Sequence, residues 1–255
     1  MRMKNKTFLV TGGASGLGEA TVRMIAANEG NIVIVDRDEL KAFELVEELG
    51  SQVSFIQTDV TDDEEAKRAV DFALERYGSI YGLVNCAGIG IAKKITGKSG
   101  IHGIDTFKKV LNVNLNGTFS MIQHATVAMQ GNEENRDGER GVIINTASVA
   151  AFDGQIGQAA YAASKGAIVS MTLPLARELA THGIRVITIA PGIFETPMFA
   201  SLPAAAKESL GNMTPFPKRL GNPKEYAQLT EHIIKNPMLN GEVIRLDGAI
   251  RMQMK

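Results

Sequence analysis

The stretch TFLVTGGASGLGEATVRMIAANEG, residues 7–30, sets the frame for everything that follows it. It opens on a short apolar run, turns through a cluster of glycines, and continues with apolar residues three and four apart. That later spacing marks one face of a helix. A strand joined to a helix by a glycine turn is the first unit of a parallel α/β sheet. Glycines at 12, 16 and 18 allow a tight turn and a close backbone approach to a diphosphate at the helix N-terminus. Their order is G-x-x-x-G-x-G rather than the commoner G-x-G-x-x-G. A glycine turn alone says little, because any strand-to-helix connection can require one. The context adds to it. Asp36 stands at the end of the next apolar run, where a carboxylate can accept hydrogen bonds from an adenosine ribose. The same charge repels a 2′-phosphate, which favours NAD over NADP. Arg37, beside it, is a counter-signal.

Outward from this unit the same alternation continues. Short apolar, β-branched runs predict strands over 7–12, 31–36, 53–60, 80–88, 141–148, 184–192 and 241–250. Helical patterns fill 18–30, 39–50, 62–78, 106–129 and 158–182. Near-continuous apolar strands, each followed by a helix, mean a parallel sheet covered on both faces. The expected architecture is one doubly wound α/β domain over 1–255, a Rossmann fold with a seven-stranded parallel sheet. All eight prolines lie from Pro174 onward, so 194–223 is expected to be irregular and to carry specificity. Its Met198, Phe199, Leu202, Met213 and Phe216 suit a flexible apolar cover for an acyl chain or a steroid, or simply pack on the sheet. The glycine-rich loop 89–103 carries Lys93, Lys94 and Lys98. It reads as a solvated loop, with contact to CoA phosphates as the alternative.

Bulk properties exclude several classes. The formal net charge is −1, and the lysine pairs at 93–94 and 108–109 are too short to form a nucleic-acid footprint. No apolar run approaches the ~18 residues of a membrane span. The start of the chain has no signal-peptide pattern, and the one cysteine, Cys86, permits no intrachain disulfide. A reducing, cytoplasmic setting is expected. Four scattered histidines and a lone cysteine offer no metal-ligand spacing.

The segment AAYAASKGA, residues 159–167, places Tyr161 four residues before Lys165 among small side chains. On a helix the two share a face. A phenol titrates near ~10 in isolation, and a neighbouring cation lowers that value. A tyrosine so placed can act as a general acid or base; otherwise the pair lies on a solvated face.

Taken in order, TGGASGLG, DV at 59–60, NCAG at 85–88, NVNLNGTF around Asn114, INTAS ending at Ser148, YAASK, and PG at 191–192 followed by Thr196 resemble the short-chain dehydrogenase/reductase family. The resemblance covers the whole chain. It implies that Tyr161 is the general base in alcohol oxidation. Lys165 lowers its pKa and holds the nicotinamide ribose. Ser148 bonds the substrate oxygen, and Asn114 holds a water in a proton relay. For NAD it implies Ser15 and Leu17 at the diphosphate with Gly12, Gly16 and Gly18. Asp36 takes the ribose, Asp59 and Val60 flank the adenine, and Cys86 contacts through its backbone. Phe194 and Thr196 meet the nicotinamide end. Gln155 is a candidate substrate contact.

Within the family, INTASVAAFDGQIGQAAYAASKGAI, TIAPGIFETPM and NGEVIRLDGAIRMQ resemble the subgroup acting on 3-hydroxyacyl-CoA. The resemblance implies NAD-dependent interconversion of 3-hydroxyacyl-CoA and 3-oxoacyl-CoA by a homotetramer built on the helices near 106–129 and 158–182. Alternatives are an NADPH-dependent 3-oxoacyl-carrier-protein reductase, a steroid or small-alcohol dehydrogenase, and a dinucleotide-binding component without turnover. Asp36 weighs against the first, and the Ser148, Tyr161 and Lys165 set against the last.

Overall fold

The computed structural model describes residues 1–97, 100–197 and 204–254, with the side chains of 204–207 outside that description. Seven strands form one sheet: β1 (Thr7–Thr11), β2 (Asn31–Asp36), β3 (Val53–Gln57), β4 (Gly82–Asn85), β7 (Gly141–Thr146), β8 (Ile184–Pro191) and β9 (Val243–Leu246). Their order is β3-β2-β1-β4-β7-β8-β9, and every neighbouring pair is parallel. The direction of winding reverses between β1 and β4, which opens a crevice at the C-terminal strand ends.

Alternation along each strand divides the core into two layers. Phe8, Val10, Ile32, Ile34, Val142 and Ile144 face one side, against Val22 and Ile25 of α1 (Gly16–Ala27) and Leu45 of α2 (Glu39–Leu49). Leu9, Val33, Leu83, Ile143 and Val186 face the other. There they meet Val70 of α3 (Asp63–Tyr77), Met121 and Ile122 of α5 (Thr118–Gln130), and Leu179 of α6 (Ala159–Leu179). Register depends on one close approach. A Cβ at Gly82 would stand 2.1 Å from the Phe8 ring, so Phe8 lies across its neighbour strand.

The expected seven strands all form, but six end before the expected residue, three of them by three residues or more. Residues 58–60 and 86–88 leave the sheet as loops at its C-terminal edge, as do the residues after Leu246. The first two of these segments, 58–60 and 86–88, line the crevice. The helix expected near 106–129 is α4 (Ile104–Leu111) running into α5 through one π-helical turn, Asn112–Gly117. That turn brings Gly117 so close to Val60 that a Cβ would sit 2.6 Å from Val60 Cγ2. Loop 89–103 contains a small antiparallel hairpin, β5 (Thr96–Gly97) and β6 (Gly100–Ile101); Lys98 lies outside the described residues.

The 194–223 segment is less irregular than expected, since it contains the helix Ala204–Asn212. Met213 packs beside Val149, Ile193, Leu220 and Ile250, so it belongs to a small core. Phe216 is 82% exposed, and Met198, Phe199 and Leu202 lie outside the described residues. A further helix, Pro223–Lys235, has no counterpart in the sequence reading. Its start is nonetheless written there: Asn222 and Glu225 form a reciprocal capping box, with proline in the first turn. No helix among the described residues is long and apolar enough to cross a membrane.

Candidate active site

A cleft of about 570 Å³ opens at the C-terminal ends of the central strands. One wall is the glycine turn, where Gly12, Ser15, Gly16, Leu17 and Gly18 all line the space. Gly12 and Gly16 adopt φ of 64° and 57°, a region that side chains other than glycine's rarely tolerate. A Cβ at Gly18 would lie 2.1 Å from the Gly12 carbonyl oxygen, and one at Gly12 would lie 2.8 Å from the Ala87 nitrogen. The turn is therefore packed to backbone contact. Ser15 caps α1 in extended conformation without closing a side-chain bond to the helix. Its hydroxyl and the first-turn N–H groups remain available to an anion. This cradle fits a dinucleotide diphosphate.

At the adenosine end, Asp36 Oδ2 accepts from Ala14 N at 2.9 Å, and Oδ1 accepts from Arg37 N at 2.7 Å and Asp38 N at 3.0 Å. Helix capping falls to Asp38, which accepts from Lys41 N. Asp36 thus orients the glycine turn while Oδ2 keeps capacity for a second donor, such as a ribose hydroxyl. Arg37 lies 3.5 Å from Asp59 Oδ2, which turns the counter-signal toward a partner within the protein. Bonds from the Thr61 backbone N–H and hydroxyl hold the Asp59 carboxyl below its usual range, with Arg37 assisting. Asp59 and Val60 both line the cleft.

At the other end, Ser148 follows β7 in extended conformation, and Tyr161 stands in the first turn of α6. Ser148 Oγ accepts from Ala150 N at 3.1 Å. Burial pushes the Tyr161 phenol above its ordinary value, and a hydrogen bond with Ser148 pulls it back. The expected lowering by Lys165 does not appear in the chain alone. Lys165 Nζ donates to the Thr146 carbonyl at 2.7 Å and sits 5.9 Å from the Tyr161 ring centroid. Burial pulls the Lys165 ammonium down to about 8, opposed by nearby Cys86. Cys86 has a raised thiol pKa, again from burial, so it is no poised nucleophile.

Asn114 is fully buried and does not line the cleft. Its Oδ1 accepts from Ile89 N at 2.8 Å, while Nδ2 donates to Ile89 O and to Ser164 Oγ, each at 3.0 Å. The π turn therefore ties the loop after β4 to the helix carrying Tyr161. Gly88 lies between Asn114 and Lys165, since a Cβ there would stand 3.2 Å from Asn114 Oδ1 and 3.5 Å from Lys165 Nζ. Phe194 and Thr196 line the cleft. Gln155 does not; its side-chain amide donates to the Gln253 carbonyl at 3.1 Å. Two contributors escaped the sequence reading. Thr146 acts through its carbonyl, which no side-chain motif reports. Tyr226, fully buried on the helix Pro223–Lys235, meets Thr146 Oγ1 at 2.7 Å beneath Lys165. Only its rarity as one of four tyrosines could have drawn attention to it.

The family model for short chain dehydrogenases matches residues 6–207. The chain belongs to the short-chain dehydrogenase family. This dehydrogenase is 51% identical over 252 residues to a 3-hydroxyacyl-CoA dehydrogenase type-2 of Drosophila melanogaster, covering 98% of this chain and 99% of that protein. A crystal structure of 3-hydroxyacyl-CoA dehydrogenase type-2 from Mycobacterium avium superposes with a TM-score of 0.93 at 38% identity, covering 98% and 97% of the two chains. A 3-ketoacyl-(acyl-carrier-protein) reductase from Brucella melitensis, complexed with NADH, gives 0.87 at 28% identity over 98% and 100%. This short-chain dehydrogenase is an oxidoreductase of the family that works with NAD(P).

Proposed function

We propose that this short-chain dehydrogenase oxidises 3-hydroxyacyl-CoA to 3-oxoacyl-CoA with NAD, the reverse reduction being accessible. The observation that carries the reading is that Ser148, Tyr161 and Lys165 line one end of a cleft whose other end presents Asp36. The names of the Drosophila and Mycobacterium proteins support the substrate class. The orientation of Asp36 supports NAD, because a 2′-phosphate would meet its charge.

Bound NAD supplies the hydride acceptor. Ser148 donates a hydrogen bond to the substrate oxygen and steadies its developing charge. Tyr161, held by Ser148, takes the hydroxyl proton. Lys165 keeps a cation near the phenol and the nicotinamide ribose, and Asn114 fixes the loop and helix that flank it. Tyr161 in the free chain lies above its ordinary value. Proton abstraction at neutral pH therefore needs positive charge beyond that of the free chain, which a bound oxidised nicotinamide would provide. The whole chain acts as one catalytic domain in a reducing cytoplasm, where half-buried Cys86 stays a thiol. It assembles as a tetramer through the helical faces bearing exposed Phe119, Val127 and Leu173.

A substrate panel tests the class. Purified protein with NAD should show a higher kcat/KM for a short (S)-3-hydroxyacyl-CoA than for a hydroxysteroid or 2-propanol, by about a hundred-fold or more on the scale that remote binding supplies. Equal or better turnover of the steroid or the simple alcohol overturns the acyl-CoA assignment.

A further inference from the structure

The segment between Ser148 and Tyr161 leads from the end of β7 to the start of α6. Its geometry decides how the hydroxyl and the phenol face each other. After the short turn Val149–Ala151 it runs through Phe152, Asp153, Gly154, Gln155 and Ile156 before α6 begins. Something must hold it.

Arg245, on the edge strand β9, reaches across to it. Its Nη2 donates to Asp153 Oδ2 at 2.6 Å, and its guanidinium carbon lies 5.1 Å from the Phe152 ring centroid. The same side chain donates from Nε to Asp247 Oδ2 at 2.8 Å and from Nη2 to the Ile250 carbonyl at 3.0 Å. Asp247 in turn packs against Gly192, since a Cβ there would stand 3.0 Å from Asp247 Cα and Cβ. Gly192 lines the cleft and donates its N–H to Leu246 O at 2.9 Å. The chain end completes the clasp, with Ile156 N donating to Met254 O at 2.9 Å. Arg245, Asp153 and Asp247 have side chains 21%, 19% and 8% exposed. These are partly desolvated, charge-assisted bonds rather than loose surface pairs. A planar fork contacting two carboxylates, a carbonyl and a ring cannot be reproduced by a lysine.

We propose that Arg245 is a positioning residue for the reaction: by clamping Asp153 to Asp247 it fixes the Ser148-to-Tyr161 segment against the Gly192 side of the cleft. This rests on the reading of Ser148 and Tyr161 as the catalytic pair. Arg245 touches no reacting atom; it acts through Ser148. Loosening the clamp leaves Asp36 untouched, because it lies at the far end of the cleft. Substrate turnover then falls while dinucleotide affinity holds.

The test uses the full chain with Arg245→Met, Arg245→Lys, Asp153→Asn, Ser148→Ala and the Arg245→Met/Ser148→Ala double variant. Arg245→Met should lower kcat roughly ten- to hundred-fold, the cost of small misplacement of a reacting group. NADH affinity by fluorescence titration should stay within about two-fold, since those contacts are remote and independent. Arg245→Lys should recover only part of the loss. Hydrogen exchange should rise in the 149–161 peptide, at the Ile156 amide above all, while β1 and β2 stay protected. Because both changes act on one unit, the double variant should be little worse than Ser148→Ala.

Full kcat in Arg245→Met, multiplied losses in the double variant, or exchange rising across the whole sheet would each overturn the proposal. If Arg245→Met does not fold, Asp153→Asn removes the same bridge with almost no change of shape and answers the same question. Failure of the catalytic reading is visible separately, as full activity in Ser148→Ala alone.

Discussion

Tyr161 carries the proposed chemistry only in company. Burial by itself raises its pKa, and the hydrogen bond from Ser148 is what works against that rise in the free chain. Ser148→Ala should therefore move the ascending limb of the pH profile for oxidation toward higher pH. It should also cut kcat by about a hundred-fold or more, the scale of losing one donor to developing oxygen charge. A profile that stays in place would detach Ser148 from the phenol. Lys165 leaves a signature in stability. In the unfolded chain a lysine keeps its proton until 10.5, whereas Lys165 in the folded chain loses it near about 8. Below about 8 both states hold the proton, and folding bears the full cost of burying the cation. Above about 8 the unfolded chain binds the extra proton, so stability rises with pH. The rise stops near pH 10, where unfolded tyrosine ionises before Tyr161 and the trend reverses. Lys165→Met should flatten the rise between about 8 and 10 in urea midpoints measured against pH. An unchanged slope would show that Lys165 titrates elsewhere.

Elements decide how these residues meet. The glycine turn is where local sequence and tertiary packing agree most closely. A methyl group at Gly18 has nowhere to go, with the Gly12 carbonyl 2.1 Å from its ideal position. Gly18→Ala should destabilise by about 1–3 kcal/mol, typical of forced overpacking, and lower the melting temperature by several degrees. NADH binding should weaken further than stability alone explains, because the turn must shift to relieve the clash. A melting temperature equal to that of the parent would show that the turn is looser than this packing requires. The turn was readable in advance because strand, glycines and helix are contiguous in the chain. The π turn at Asn112–Gly117 was not, since its propensities are ordinary and its cause is the close approach of Gly117 to Val60. Gln155 shows the same limit: its position between Ser148 and Tyr161 suggested substrate, but its amide donates to Gln253, 98 positions away. The helix Pro223–Lys235 carries a plain capping box, a local signal that the proline-rich surroundings obscured.

At the scale of the whole molecule, one parallel sheet delivers distant residues to a single edge. Strand order places Gly12 and Asp36 from the first half beside Ser148 and Gly192 from the second. Apolar strand periodicity and the order of motifs made that much legible. The clamp of Arg245 on Asp153 was not legible, because ion-pair partners across 92 positions leave no periodic trace. The proposed tetramer is testable at the same scale. Val127 is 71% exposed on α5, and Val127→Glu should convert a tetramer into smaller species in sedimentation velocity. A parent that sediments as a monomer would remove that part of the account. The most direct measurement of the central claim is the absorbance of reduced nicotinamide as purified protein meets a short (S)-3-hydroxyacyl-CoA, with NAD and NADP in parallel and Tyr161→Phe alongside. The expected result is turnover with NAD, far less with NADP, and a loss of about a thousand-fold in Tyr161→Phe, within the range of general acid–base catalysis. Preference for NADP, or full activity in Tyr161→Phe, would contradict it.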